Sequence, residues 1–271
     1  MTSSGPRVVA AVDAGPAMAA VIDVAASTAE IFGADLEIVA VGPEPQIDRV
    51  PPGQPPLRSV PGEPTAWIDT AVSEPDLKAL VLGIRSLPAG RRPAGHVALH
   101  ALAHCPQLVV VVPPELDRMH RALSSIIVPV SGRGMPCEPL LDVVGRLRDR
   151  GRAVRALHVL DPASAPPFVD RWHDPELWQQ QFWLHYWPPH GDVDVRLGHL
   201  ADGIIEAIAE VDADGVLLEW TRRPPGARDS VVHDLLSRSP VPVLLVPHQR
   251  RVDEPAPWST SGPSEKGSTS G

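Results

Sequence analysis

Several groups of side chains in this 271-residue sequence have the types and spacing to do chemistry. Gly90, Arg91, Arg92 and Gly95 form a short glycine- and arginine-rich stretch. Glycine lets backbone N–H groups approach an anion closely and arginine supplies charge, so the stretch can serve as an anion-binding loop or, more simply, as a turn that packs a helix. Glu219 and Asp229 offer two carboxylates beside Arg222 and Arg223. They read either as a pair for acid–base or metal work or as a solvated loop neutralised by its own arginines, and the solvated loop is the expectation. Cys137 falls in the first turn of a predicted helix, where the dipole favours a thiolate, yet no histidine is placed by sequence as its base, so a structural cysteine is expected. Cys105, beside Pro106 ahead of an apolar run, reads as core. His173, His185, His190 and His199 are spaced by twelve, five and nine residues. That spacing fits no metal-ligand pattern, so they are read as surface histidines and no metal site or catalytic residue is assigned.

Composition narrows the classes of function. There are 24 basic and 33 acidic residues, a formal charge of -9, and no long basic run, which argues against nucleic acid as a partner. Two cysteines cannot build a disulfide framework and point to a reducing, cytoplasmic setting. The opening "MTSSGPRVVAAVDAG" lacks the basic-then-apolar order of a signal peptide, and no apolar run is long enough to span a bilayer, so no membrane partner is expected.

These residues must be positioned by elements, and the elements come in duplicate. "RVVAAVDAGPAM" reappears as "SIIVPVSGRGMP" from Ser125. "KALVLGIRS" followed by "HVALHALAHCPQLVVVVPP" reappears as "DGVLLEWTR" followed by "SVVHDLLSRSPVPVLLVPH". The halves are 1–120 and 121–249, and 250–271, rich in Pro, Ser and Gly, is expected to be a disordered tail. In each half, short apolar runs alternate with segments of helical period, the pattern of parallel βαβ units. The predicted fold is α/β, two doubly wound five-stranded parallel sheets related by a pseudo-twofold. In the first half, the proline-rich stretch 42–56 replaces one helix. In the second half, that helix is expected to start near Asp174 and Pro175.

A strand ending "AVD", a strand ending "VLGIRS", a helix leading into "HCPQLVVVVPP" and a closing "RSPVPVLLVP" together resemble the universal stress protein family, over nearly the whole chain. The resemblance implies flavodoxin-like halves and, in the ATP-binding branch, Gly-x-x-Gly, nine residues, then Gly-Ser or Gly-Thr, whose glycines admit phosphates to a helix N-terminus. Mapped onto this chain, Asp13 resembles the adenosine-contacting aspartate, Val41 the end of the second strand, Gly83 the first motif glycine and Gly95 the last; Ser86 replaces the second. In the second half, Ser131 stands for the aspartate, Glu219 for the first glycine, Arg222 for the second and Asp229 for the last, leaving Ser230. The resemblance therefore implies ATP or AMP in the first half and none in the second. "VSGRGM" (130–135) faintly resembles the phosphate loop of ATP pyrophosphatase-type enzymes but lacks their acidic and hydroxyl residues, and a plain turn is expected.

Seven of the eleven aromatic residues lie between Phe168 and Trp187. On a helix, Trp178, Phe182 and Tyr186 form one stripe, with Trp183 and Trp187 beside it, a face wider than one sheet contact covers. It reads either as packing between the halves or as a surface around Trp178, Phe182, Trp183 and Trp187 for a second copy or a protein partner. The expected function is stress-associated regulation or binding; a nucleotide-binding switch in the first half and a scaffold acting through the aromatic helix are the alternatives.

Overall fold

The computed structural model describes residues 5–15, 17–42, 53–84, 95–131, 135–160, 187, 193–221 and 230–248. The expected tail, most of the proline-rich stretch, the arginine loop around Arg91 and the aromatic helix other than Trp187 lie outside the described residues. The first half runs β1 (Arg7–Val12), α1 (Met18–Phe32), β2 (Asp35–Gly42), β3 (Leu57–Pro61), α2 (Pro64–Ala71), β4 (Leu77–Gly83), α3 (His96–His104) and β5 (Leu108–Val112). After a 3-10 turn at Arg118–Arg121 come β6 (Ser125–Pro129), α4 (Glu138–Asp149), β7 (Ala153–Leu160), β8 (Val193–Leu197), α5 (Leu200–Val211), β9 (Gly215–Thr221), α6 (Ser230–Arg238) and β10 (Val243–His248).

Local sequence sets the boundaries. Gly33, at φ 58°, ends α1 in the left-handed conformation a β-carbon disfavours, which lets the Ala34 N–H reach the Ala29 carbonyl at 2.9 Å. Pro64 opens α2 in the first turn, where its missing N–H costs nothing. The strands alternate between two cores. Val8, Ala10 and Val12 pack with α1 and α4 on one face, and Val9, Leu80 and Val109 with α2, α3, α5 and α6 on the other.

The strand order is β3-β2-β1-β4-β5-β10-β9-β6-β7-β8. Every pairing within a half is parallel, and the expected two five-stranded sheets join through an antiparallel β5–β10 pair into one ten-stranded sheet. The reason is physical: β5, "LVVVV", is buried throughout, and as an open edge it would leave a row of unpaired N–H and C=O groups on an apolar strand. The registers repeat as the duplication requires. Val8 faces Ala79 as Ile126 faces Gly215, and Gly83 faces Val112 as Glu219 faces Val246. In the joining pair Val110 faces Leu244, its own counterpart, with Val109 opposite Leu245 and Val111 opposite Val243. The pseudo-twofold axis therefore passes through the Val110–Leu244 pair.

Polar ties fix the connection between halves. The buried Asp214 carboxylate accepts from Ser124 N (2.7 Å), Ser125 N (3.2 Å) and His120 Nδ1 (3.1 Å). Leu123 sits at φ 49° with its side chain fully buried, close to where a β-carbon on Gly215 would stand. Arg121 pairs with Asp23 at 2.8 Å, and Trp220 of β9 donates its indole N–H to the Leu102 carbonyl of α3 at 3.0 Å.

Candidate functional site

In an open parallel sheet a ligand crevice forms beyond the carboxyl ends of the strands where the winding reverses. The order puts one such point between β1 and β4 and its mate between β6 and β9. Asp13 follows β1 and Gly83 ends β4, so these two residues, 70 positions apart, flank the first crevice. The exposed Asp13 carboxylate accepts the Gly15 N–H at 2.9 Å, folding over a position where a β-carbon would lie 2.6 Å from Oδ1. Gly83 abuts α1: a β-carbon there would stand 3.2 Å from Val21 Cγ2 and 3.4 Å from the Ala17 Cβ. Val41 lies near the end of β2, next to β1, half-buried. Gly95 immediately precedes α3 in extended geometry, with open space where a side chain would be. The four residues thus share the carboxyl edge of the first half-sheet; only Asp13 and Gly83 border the reversal itself.

At the matching point of the second half a carboxylate stands where the first half has a glycine. Glu219, at the place of Gly83, reaches the amino end of α4, where its Oε1 accepts the Cys137 N–H at 2.5 Å. A protein carboxylate thus takes the helix N-terminus where an anionic ligand would otherwise be attracted. This corrects the expectation of a solvated loop: Glu219 is a strand residue, half-buried, and its partner is a helix end. The Cys137 thiol is no thiolate either. Burial, then the Glu219 charge and its hydrogen bond, push the thiol up to about 12. Arg222 and Asp229 fall outside the described residues.

A second difference between the halves is His158, which the sequence alone did not single out. It lies on β7 where the first half has Ala40, is buried, and donates Nδ1–H to the Val130 carbonyl at 2.8 Å. Burial pushes its pKa down, so the neutral ring is held there. The available signal was a histidine inside the apolar run "ALHVL". Trp187 is corrected as well: among the aromatic residues proposed as an interface it alone is described, and it is fully buried in the core shared with α1 and α4. It serves packing and offers no open surface.

Residues 124–247 match the sequence model described as "Universal stress protein family". No curated protein matches the chain. Among solved structures, a universal stress protein from Archaeoglobus fulgidus DSM 4304 is 12% identical, with a TM-score of 0.59, covering 88% of this chain and 97% of its own. A putative universal stress protein from Pseudomonas aeruginosa UCBPP-PA14 is 10% identical, with a TM-score of 0.60, covering 89% and 92%. At these identities the likeness is one of fold.

Proposed function

We propose, from the match of residues 124–247 to the universal stress protein family, that this chain is a stress-associated binding protein of that type, not an enzyme, whose first half takes an adenine nucleotide, ATP or AMP, while the second half carries its own carboxylate in the corresponding place. The observation that carries the reading is the contrast at matched places: Gly83 presents bare backbone beside Asp13, whereas Glu219 delivers its own carboxylate to the α4 N-terminus. A phosphate approaching the α4 N-terminus of the second half meets the Glu219 carboxylate; in the first half Gly83 brings no side chain to that place, and the Asp13 carboxylate is turned onto the Gly15 N–H. A non-catalytic role is supported by Cys137, the one thiol beside a crevice, which is held protonated and is no nucleophile.

Thermal melting of the full chain with ATP and AMP tests this. Ligand at about a hundred times its dissociation constant stabilises the native state by ~2.7 kcal/mol. In a chain of this size that is a rise of about 5–10 °C. The rise should shrink in Asp13→Ala and vanish in Gly83→Glu, which copies the second half into the first. A rise that survives both changes and is lost only on altering Glu219 would refute the assignment.

A further inference from the structure

On the outer face of the first half, away from both crevices, Asp69 of α2 and His100 and His104 of α3 converge: one ligating atom from each lies within 4.8 Å of the others. Among the described residues it is the one group of three or more His, Cys, Asp or Glu side chains so placed. We propose that Asp69, His100 and His104 form a binding site for one borderline transition-metal cation of the zinc class. Two imidazoles one helical turn apart lie on the same helix face, the arrangement that lets a pair of histidines chelate one ion, and the carboxylate comes from the neighbouring helix. Two nitrogen donors of three favour Zn²⁺, Co²⁺ or Ni²⁺ over Mg²⁺ or Ca²⁺.

Details of the geometry fit. His104 Nδ1 lies 2.9 Å from the His100 carbonyl, an acceptor, so Nδ1 carries the proton and Nε2 is the ring's lone-pair nitrogen. A backbone carbonyl fixing the far nitrogen is the usual second support of a ligating histidine. His100 Nε2 already faces Asp69 Oδ1 at 2.7 Å, and the two rings stack at 4.1 Å between centroids. Drawing three atoms from within 4.8 Å to the ~2.0–2.1 Å bonds of zinc takes only side-chain rotation, and Asp69 and His104 are exposed.

The second half shows what a purely structural clamp looks like. There Arg238 of α6 pairs with Asp202 of α5 at 2.7 Å, and the residues matching His100 and His104 are Asp234 and Arg238. The first half instead sets two imidazoles beside its carboxylate, a donor set the second half does not repeat at the matching positions.

The test uses untagged full-length protein, titrated with Zn²⁺ against a chromophoric chelator and with Co²⁺ by visible absorption. One equivalent should bind per chain with a Co²⁺ band of low-symmetry coordination. Affinity should fall at least about tenfold in His104→Gln and in Asp69→Asn and stay unchanged in His120→Gln, with circular dichroism unaltered. If the triple variant Asp69→Asn/His100→Gln/His104→Gln keeps the same stoichiometry and affinity, or the native protein takes up no Zn²⁺ at 100 µM (roughly the range of the weakest protein metal sites), the site is overturned. Neither result depends on nucleotide binding in the crevice.

Discussion

Replacing Glu219 by Gln isolates its interaction with the α4 N-terminus. The side chain keeps its shape and can still accept the Cys137 N–H, so the perturbation is the loss of one negative charge. With the Cys137 thiol at about 12, roughly one molecule in ten thousand carries the thiolate at pH 8, against about a quarter for an ordinary thiol near 8.5. Of the causes that raise the thiol, burial is the largest and remains in the variant, while the charge and hydrogen bond of Glu219 are removed or weakened. Each unit regained is a tenfold gain in thiolate. Glu219→Gln should therefore raise the rate of alkylation by iodoacetamide at pH 8 at least about tenfold, still short of a free thiol. The assay is a time course with mass mapping, which separates Cys137 from the buried Cys105.

The same shift has a stability signature. An acid whose folded value lies above its unfolded one contributes stability below the unfolded value, about 8.5, and loses it as pH rises toward 12. The native melting temperature should fall with pH above 9 more steeply than that of Glu219→Gln. Equal alkylation rates in the two proteins, or a native Cys137 that reacts like a free thiol at pH 8, would refute this account of the Glu219–Cys137 contact.

Two further outcomes follow from buried groups. Trp187 is fully buried, and its indole nitrogen has no hydrogen-bond partner among the described residues, so Trp187→Ala should cost about 3–5 kcal/mol by chemical denaturation while Trp187→Phe costs less, with the mass by sizing chromatography unchanged in both. His158 has its pKa pushed down by burial, so the stability it supports is present above pH 6.5 and is lost as pH falls through the folded value. Melting temperature should drop between pH 7 and pH 5 in the native protein and drop less in His158→Asn, which keeps a donor for the Val130 carbonyl.

What the sequence disclosed is local or periodic. Gly33 as the end of α1 and the extent of α3 were legible because caps and period are written in contiguous residues. What it hid depends on partners far along the chain. Glu219 read as a loop residue because a carboxylate after "GVLL" has no evident partner; that partner, Cys137, is 82 positions away. The Asp69–His100 contact spans 31 positions, and only the packing of α2 on α3 brings it about. The joining of the two sheets rests on the backbone edges that β5 and β10 leave unpaired within their own halves, which apolar runs do not distinguish from burial within a parallel sheet.

Divergence between the halves follows the demands of each location. At the axis, Val109, Val110 and Val111 answer Val243, Leu244 and Leu245, aliphatic for aliphatic, because both members of each pair are buried and must pack against each other. At the crevices the pairs part company: Asp13 against Ser131, Ala40 against His158, Gly83 against Glu219. In a dimer of identical chains such pairs cannot differ, since one sequence supplies both crevices. Joining the halves in a single chain removes that constraint and leaves the one at the axis. An internal carboxylate can then occupy the helix end in one half while the other keeps its glycine. The outer helices have diverged in the same way, His100 and His104 against Asp234 and Arg238, where neither the axis nor a strand end restricts the choice.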